Sequence, residues 1–67
     1  MTTIYDVCRN YRKRGIPLHL RNYTTAAGRS YFWLYYGYAP PIASGLSEDE
    51  AKRAMGIVAR VHEKIAA

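Results

Sequence analysis

Apolar and polar positions alternate with period two over residues 16–23. Ile16, Leu18 and Leu20 fall on one side, and Pro17, His19, Arg21 and Tyr23 on the other. A second alternating run, residues 30–38, sets Phe32, Leu34, Tyr36 and Tyr38 against Tyr31, Trp33 and Tyr35. Successive side chains of a strand point to opposite faces, so both runs predict strands with two distinct faces. The stretch between them, Thr24-Thr25-Ala26-Ala27-Gly28-Arg29, is too long for a two-residue turn. It predicts a flexible hairpin loop in which Gly28 is free to take positive φ. Pairing Ile16, Leu18 and Leu20 with Phe32 and Leu34 makes an aliphatic face for a core. The remaining face carries His19, Arg21, Tyr23, Tyr31, Trp33 and Tyr35, aromatic and basic together.

The period changes to that of a helix at both ends of the chain. Ile4, Val7, Cys8 and Tyr11 recur at i, i+3, i+4 and i+7, one stripe of a short amphipathic helix that Thr2 and Thr3 can cap. Asp6 sits in its first turn and Arg12, Lys13 and Arg14 in its last, each sign suited to the helix dipole. Gly15 is a natural residue just past the helix end, and Pro17 prevents continuation. Further on, Ser47 and Glu50 form a capping box, with Leu46 placed to staple onto Ala51. The helix that follows is expected over residues 48 to about 65, with Ala51, Ala54, Met55, Val58, Val61 and Ile65 as its buried stripe. Gly56 inside it marks close packing against a strand or a partner. Pro40 and Pro41 rule out a central strand before that helix and favour an extended connector, with Ile42 in a short edge strand. The expectation is a single α+β domain over residues 1–67. It has a short N-terminal helix, an antiparallel hairpin in a two- or three-stranded sheet, and a long C-terminal helix packed on one sheet face.

Charge sharpens the picture. The net charge is +5, and residues 1–46 carry all of it: six basic side chains against Asp6 alone, while residues 47–67 hold four of each sign. Such asymmetry points to an anionic partner, either nucleic acid or the acidic face of a protein. Dipole complementation explains one or two cations at the first helix end, but Arg9, Arg12, Lys13 and Arg14 are four in six residues. A single cysteine excludes an internal disulfide. The N-terminus lacks the apolar stretch of a signal peptide, and the longest apolar run is too short for a membrane span, so a cytoplasmic location is expected.

Catalytic and metal chemistry find no support. Cys8, His19 and His62 have no ligand spacing, so no metal and no cofactor is expected. Cys8 lies on an apolar stripe, where a thiol is ordinarily inert, and no phosphate-binding loop or dinucleotide fingerprint occurs. The three carboxylates Glu48, Asp49 and Glu50 are accounted for by capping. No enzymatic role is expected. Aromatics interleaved with arginine on one sheet face can stack on bases while the guanidinium contacts phosphate or a guanine edge. The same residue types are enriched at protein–protein hot spots. An exposed Trp33 among tyrosines would also form an apolar patch of the kind that marks an interaction site, and homodimerisation through it is a third alternative.

From Arg12 to about Ala54, the order of features resembles the N-terminal arm-type DNA-binding domain of lambda-like tyrosine recombinases. The resemblance rests on the basic lead Arg12-Lys13-Arg14, then Pro17, then the strand Leu18-His19-Leu20-Arg21. The aromatic second strand Tyr31-Phe32-Trp33-Leu34-Tyr35 and the helix start Gly45-Leu46-Ser47-Glu48-Asp49-Glu50-Ala51 complete it. The family's third strand is charged and regular where this chain has Pro40-Pro41-Ile42-Ala43, and the first helix is an addition. In that family a three-stranded sheet enters the major groove, so the resemblance implies DNA contacts from Arg21, Arg29 and residues 12–14. The expected function is therefore non-catalytic binding of nucleic acid, DNA favoured over RNA, by a small protein of phage or mobile-element type. The alternative is an inhibitor of the anti-CRISPR or anti-restriction type that blocks a host protein complex through the same surface. The surface in either case comprises Arg9, Arg12, Lys13, Arg14, His19, Arg21, Tyr23, Arg29, Tyr31, Trp33 and Tyr35.

Overall fold

The computed structural model describes residues 2–66. Helix α1 (Ile4–Lys13) leads into strands β1 (Leu18–Thr24), β2 (Ser30–Tyr36) and β3 (Ala43–Leu46), and helix α2 (Glu48–Ala66) ends the fold. The strands form one antiparallel sheet in the order β1-β2-β3. Both helices pack against it, and the core lies between them and the sheet: Ile4 and Cys8 from α1, Leu18, Phe32 and Leu34 from the sheet, Ala51, Met55 and Ala59 from α2. The α+β architecture and the sorting of the two strand faces are those the alternation predicts.

Local chemistry fixes the helix ends. Thr3 caps α1: its hydroxyl accepts from the Asp6 N–H, while the Asp6 carboxylate accepts from the Thr3 N–H, a reciprocal capping box. Ser47 and Glu50 make the same exchange at the start of α2, both bonds at 3.2 Å. Ser47→Ala should cost about 1 kcal/mol by leaving the Glu50 N–H without its partner. A melting temperature equal to that of the unaltered chain would contradict the cap.

The two capping carboxylates also set an acid limit. Hydrogen bonds from the Thr3 backbone and hydroxyl, and secondarily the charge of Arg9, hold the Asp6 carboxyl below its ordinary range. Bonds to the Ser47 backbone and hydroxyl do the same for Glu50. A carboxyl whose folded pKa is depressed binds its proton more readily in the unfolded chain. Its contribution is therefore complete above the unfolded value of about 4 and is lost as pH falls through the lower folded value. Denaturant midpoints should be level from pH 7 to 5 and drop below pH 4. Replacing Asp6 and Glu50 by Asn and Gln should flatten that drop.

Five features differ from the sequence expectation. The first strand begins at Leu18 rather than residue 16. Ile16 is still buried, but its N–H goes to the Tyr11 carbonyl of α1 at 3.0 Å. The second strand ends at Tyr36, because Gly37 at φ 64 turns the chain away and leaves Tyr38 fully exposed rather than on the core face. A third strand does form, at Ala43–Leu46 rather than around Ile42, which contributes only an N–H to the Leu34 carbonyl. Phe32 pairs with Leu46 and Leu34 with Ala43, so three steps on β3 oppose two on β2, a bulge with Gly45 at φ 66. Finally, the buried stripe of α2 runs through Ala51, Met55 and Ala59 and stops: Val61 is 52% exposed and Ile65 80%. The sheet ends at Tyr36, so it offers nothing to cover the last turns of the helix. Gly56 faces α1 rather than a strand, where a Cβ would lie 4.0 Å from the Tyr11 hydroxyl.

Candidate functional site

Both helices occupy one face of the sheet, and the other is bare. On it the β1–β2 register stacks three cross-strand pairs, His19 with Tyr35, Arg21 with Trp33 and Tyr23 with Tyr31. Pairs directly opposite each other bring side chains within van der Waals reach, and here that reach builds a continuous aromatic row. Tyr23 and Tyr31 have ring centroids 5.8 Å apart, Tyr23 and Trp33 5.7 Å, and Trp33 and Tyr35 6.4 Å. The rings meet at tilted or edge-on angles, an arrangement favoured by their quadrupoles. The row partly shields itself: Trp33 remains 39% exposed and Tyr23 37%, while Tyr31 and Tyr35 are half-buried. Tyr23 reaches far enough across the sheet that a Cβ on Gly45 of β3 would come within 3.9 Å of its hydroxyl.

Arg21 stands at the centre of this face. It borders two shallow depressions of about 280 Å³ each, one shared with Asn22, Tyr23 and Trp33, the other with His19, Tyr35 and Tyr38. Among the described residues it has no ion-pair partner. An unpaired guanidinium set among exposed ring edges can meet a phosphate, a carboxylate or a base edge without first breaking an internal bond. Arg29 lies beyond the row, in the hairpin loop that Gly28 closes at φ 82 and the Thr25 N–H ties to the Arg29 carbonyl.

The basic cluster of α1 is placed differently. Helix α1 packs on the core face, opposite the aromatic row, so the fold does not bring Arg9, Arg12, Lys13 and Arg14 together with Trp33. Three of the four are already engaged. Arg9 pairs with Asp6 at 3.4 Å. The Arg12 guanidinium donates to the Leu18 carbonyl at 2.9 Å and to the Cys8 sulfur at 3.2 Å, tying the helix end to the start of β1. Arg14 pairs with Glu63 of α2 and lies over the Tyr11 ring, 5.6 Å from its centroid. Lys13 is exposed and has no ion pair among the described residues.

Cys8 is a buried thiol directed at the Leu18 carbonyl, 3.1 Å away. Burial pushes its pKa up, and the nearby Arg12 charge only partly opposes this. A thiol held protonated in this way is a poor nucleophile. No cluster of three metal-ligating side chains occurs among the described residues, and none of their helices is long and apolar enough to cross a membrane.

Two residues that border these depressions escape the sequence reading. Asn22 borders a depression although its parity assigns it to the aliphatic side, and it carries no sequence signal for that place. Tyr38 is swung beside His19 and Tyr35 by the positive φ of Gly37, and a glycine two residues past the aromatic run is a signal that could have marked the turn. No protein-family model, curated protein or solved structure matches this chain.

Proposed function

We propose that the open sheet face binds nucleic acid without catalysis, with DNA the preferred form. The observation that carries this reading is the registered aromatic row with the unpaired Arg21 in its middle. Ring faces and edges offer stacking to unpaired bases, worth about 1–3 kcal/mol per base, and the guanidinium supplies a phosphate or base-edge contact beside them. The charge excess over residues 1–46 supports the same reading. So does the resemblance to arm-type domains, in which a three-stranded sheet is the element that meets DNA.

The placement of the cations sets the expected salt dependence. Each phosphate contact contributes about −0.9 to the slope of log K against log salt for a duplex. Arg21 and Arg29 predict a slope of about −2, shallower than six free cations would give. Arg21→Ala should flatten it by about 1. Arg12→Ala should lower stability and leave the slope as it is, because that guanidinium is held by Leu18 and Cys8. Titration of labelled duplex and labelled single strand at two salt concentrations measures both. An absence of binding to either at low salt would refute the proposal.

A second reading is favoured by the engagement of Arg9, Arg12 and Arg14 in internal bonds. What remains on the open face is Tyr, Trp and Arg, the composition of a protein–protein hot spot. Under it the face blocks a host protein complex, as an inhibitor would, and the complex is stoichiometric with an affinity only weakly dependent on salt.

A further inference from the structure

The exposed aliphatic side chains of α2 do not belong to the sheet face. Ile57, Val61 and Ile65 recur every four residues along one face of the helix, and Ile57 is 62% exposed. Together with Ile42 of the connector they rim a groove of about 300 Å³. Its floor is Val58 and a fixed pair, the Tyr36 hydroxyl hydrogen-bonded to His62 Nδ1 at 2.5 Å. Nearly all of its wall is apolar, and the Tyr36–His62 bond engages the tyrosine hydroxyl and one imidazole nitrogen internally.

The flank of this groove along its length is basic. At about 100° per residue, Arg60 and Lys64 follow Ile57 and Val61 around the helix on the side away from Ala51, Met55 and Ala59. Both are exposed, and neither has an ion pair among the described residues. The acid nearest them in sequence, Glu63, is taken by Arg14 on another face of the helix, whereas Arg53, one turn earlier, faces the Glu50 charge.

We propose that this groove receives an amphipathic helix of a protein partner, one whose row of aliphatic side chains is flanked by Asp or Glu. The concave shape between α2 and Ile42 suits a row of inserted side chains rather than a flat bilayer, and the basic flank selects an acidic neighbour. A second copy of this chain is disfavoured, since it would set a second Arg60 and Lys64 along the seam. The groove and the aromatic row lie on opposite sides of the sheet, so both can be occupied at once, and this inference does not depend on nucleic-acid binding.

The test uses two designed 18-residue helical peptides with one leucine face, flanked in one by Glu and in the other by Lys, titrated into ¹⁵N-labelled protein. The Glu peptide should shift the amides of Ile57, Val61 and Ile65 and bind at least tenfold more tightly than the Lys peptide. Arg60→Glu with Lys64→Glu should invert that preference, and Ile57→Gln with Val61→Gln should weaken binding at least tenfold with an unchanged circular dichroism spectrum. Trp33→Ala should leave the affinity as it is. The proposal is overturned if the two peptides bind equally, or if the shifts map to the aromatic row. It is equally overturned if anionic phosphatidylglycerol vesicles bind with Ile57 and Val61 while the Glu peptide does not, or if the protein alone forms a dimer that Val61→Gln dissolves.

Discussion

Leu34→Ala should leave the chain largely unfolded at room temperature. Leu34 sits on the central strand with no exposed surface, opposite Leu20 on one side and Ala43 on the other, on the face that α2 packs against. Truncating a leucine at such a site typically costs about 3–5 kcal/mol, from lost transfer energy plus the cavity left behind. A core of nine buried apolar residues among the described ones is small for a 67-residue chain. Domains of this size rarely hold a net stability above about 3–5 kcal/mol, so the substitution removes most of it. Circular dichroism should show the loss of a cooperative thermal transition. A variant that melts within a few degrees of the unaltered chain would mean that the sheet and α2 do not pack as described.

Trp33→Ala, one residue earlier on the same strand, should have the opposite phenotype. Its side chain lies on the open face, and its neighbours there are Tyr23 and Tyr35 rather than the core. Loss of those cross-strand aromatic contacts costs about 1 kcal/mol, which lowers the melting temperature by several degrees without unfolding the domain. Binding should suffer far more. Removal of the largest surface in the row should weaken affinity for single-stranded DNA by about 1–3 kcal/mol, roughly 5- to 150-fold. A folded Trp33→Ala protein that binds as tightly as the original would show that the aromatic row is not the working surface. An unfolded one would place Trp33 in the core.

The contrast between these neighbours was legible in the sequence, since period-two alternation assigns adjacent strand residues to opposite faces. Other local signals were equally plain: the Ser47–Glu50 box, the helical stripe from Ile4 to Tyr11, and the glycine at position 15. The Thr3–Asp6 box carried the same three-residue spacing, yet Asp6 is also explained by the helix dipole alone, and that explanation hid it. What sequence could not supply depends on distant parts of the chain. Periodicity continues through Val61 and Ile65 because it describes the helix, whereas burial ends where the sheet ends, at Tyr36. The third strand depends on the Leu34 carbonyl and a bulge at Gly45, which no alternation in Pro40-Pro41-Ile42-Ala43 announces. Arg12 and Arg14 look like free cations in a basic run. Their partners, the Leu18 carbonyl and Glu63, come from other elements, and in the second case lie 49 residues away. The aromatic row was thus readable in full, and the division between engaged and available cations was not.

Trp33 is the only tryptophan in the chain, so fluorescence excited selectively at tryptophan rather than at the seven tyrosines reports on the open face alone. The most direct test of its role is titration of the unaltered protein with unlabelled oligonucleotide at low salt, followed by iodide quenching of the complex. The account predicts that iodide quenches Trp33 in the free protein. Nucleic acid should change its emission saturably, and iodide should reach it markedly less once it is bound. Emission and iodide access that stay the same throughout the titration would contradict nucleic-acid binding at the aromatic row.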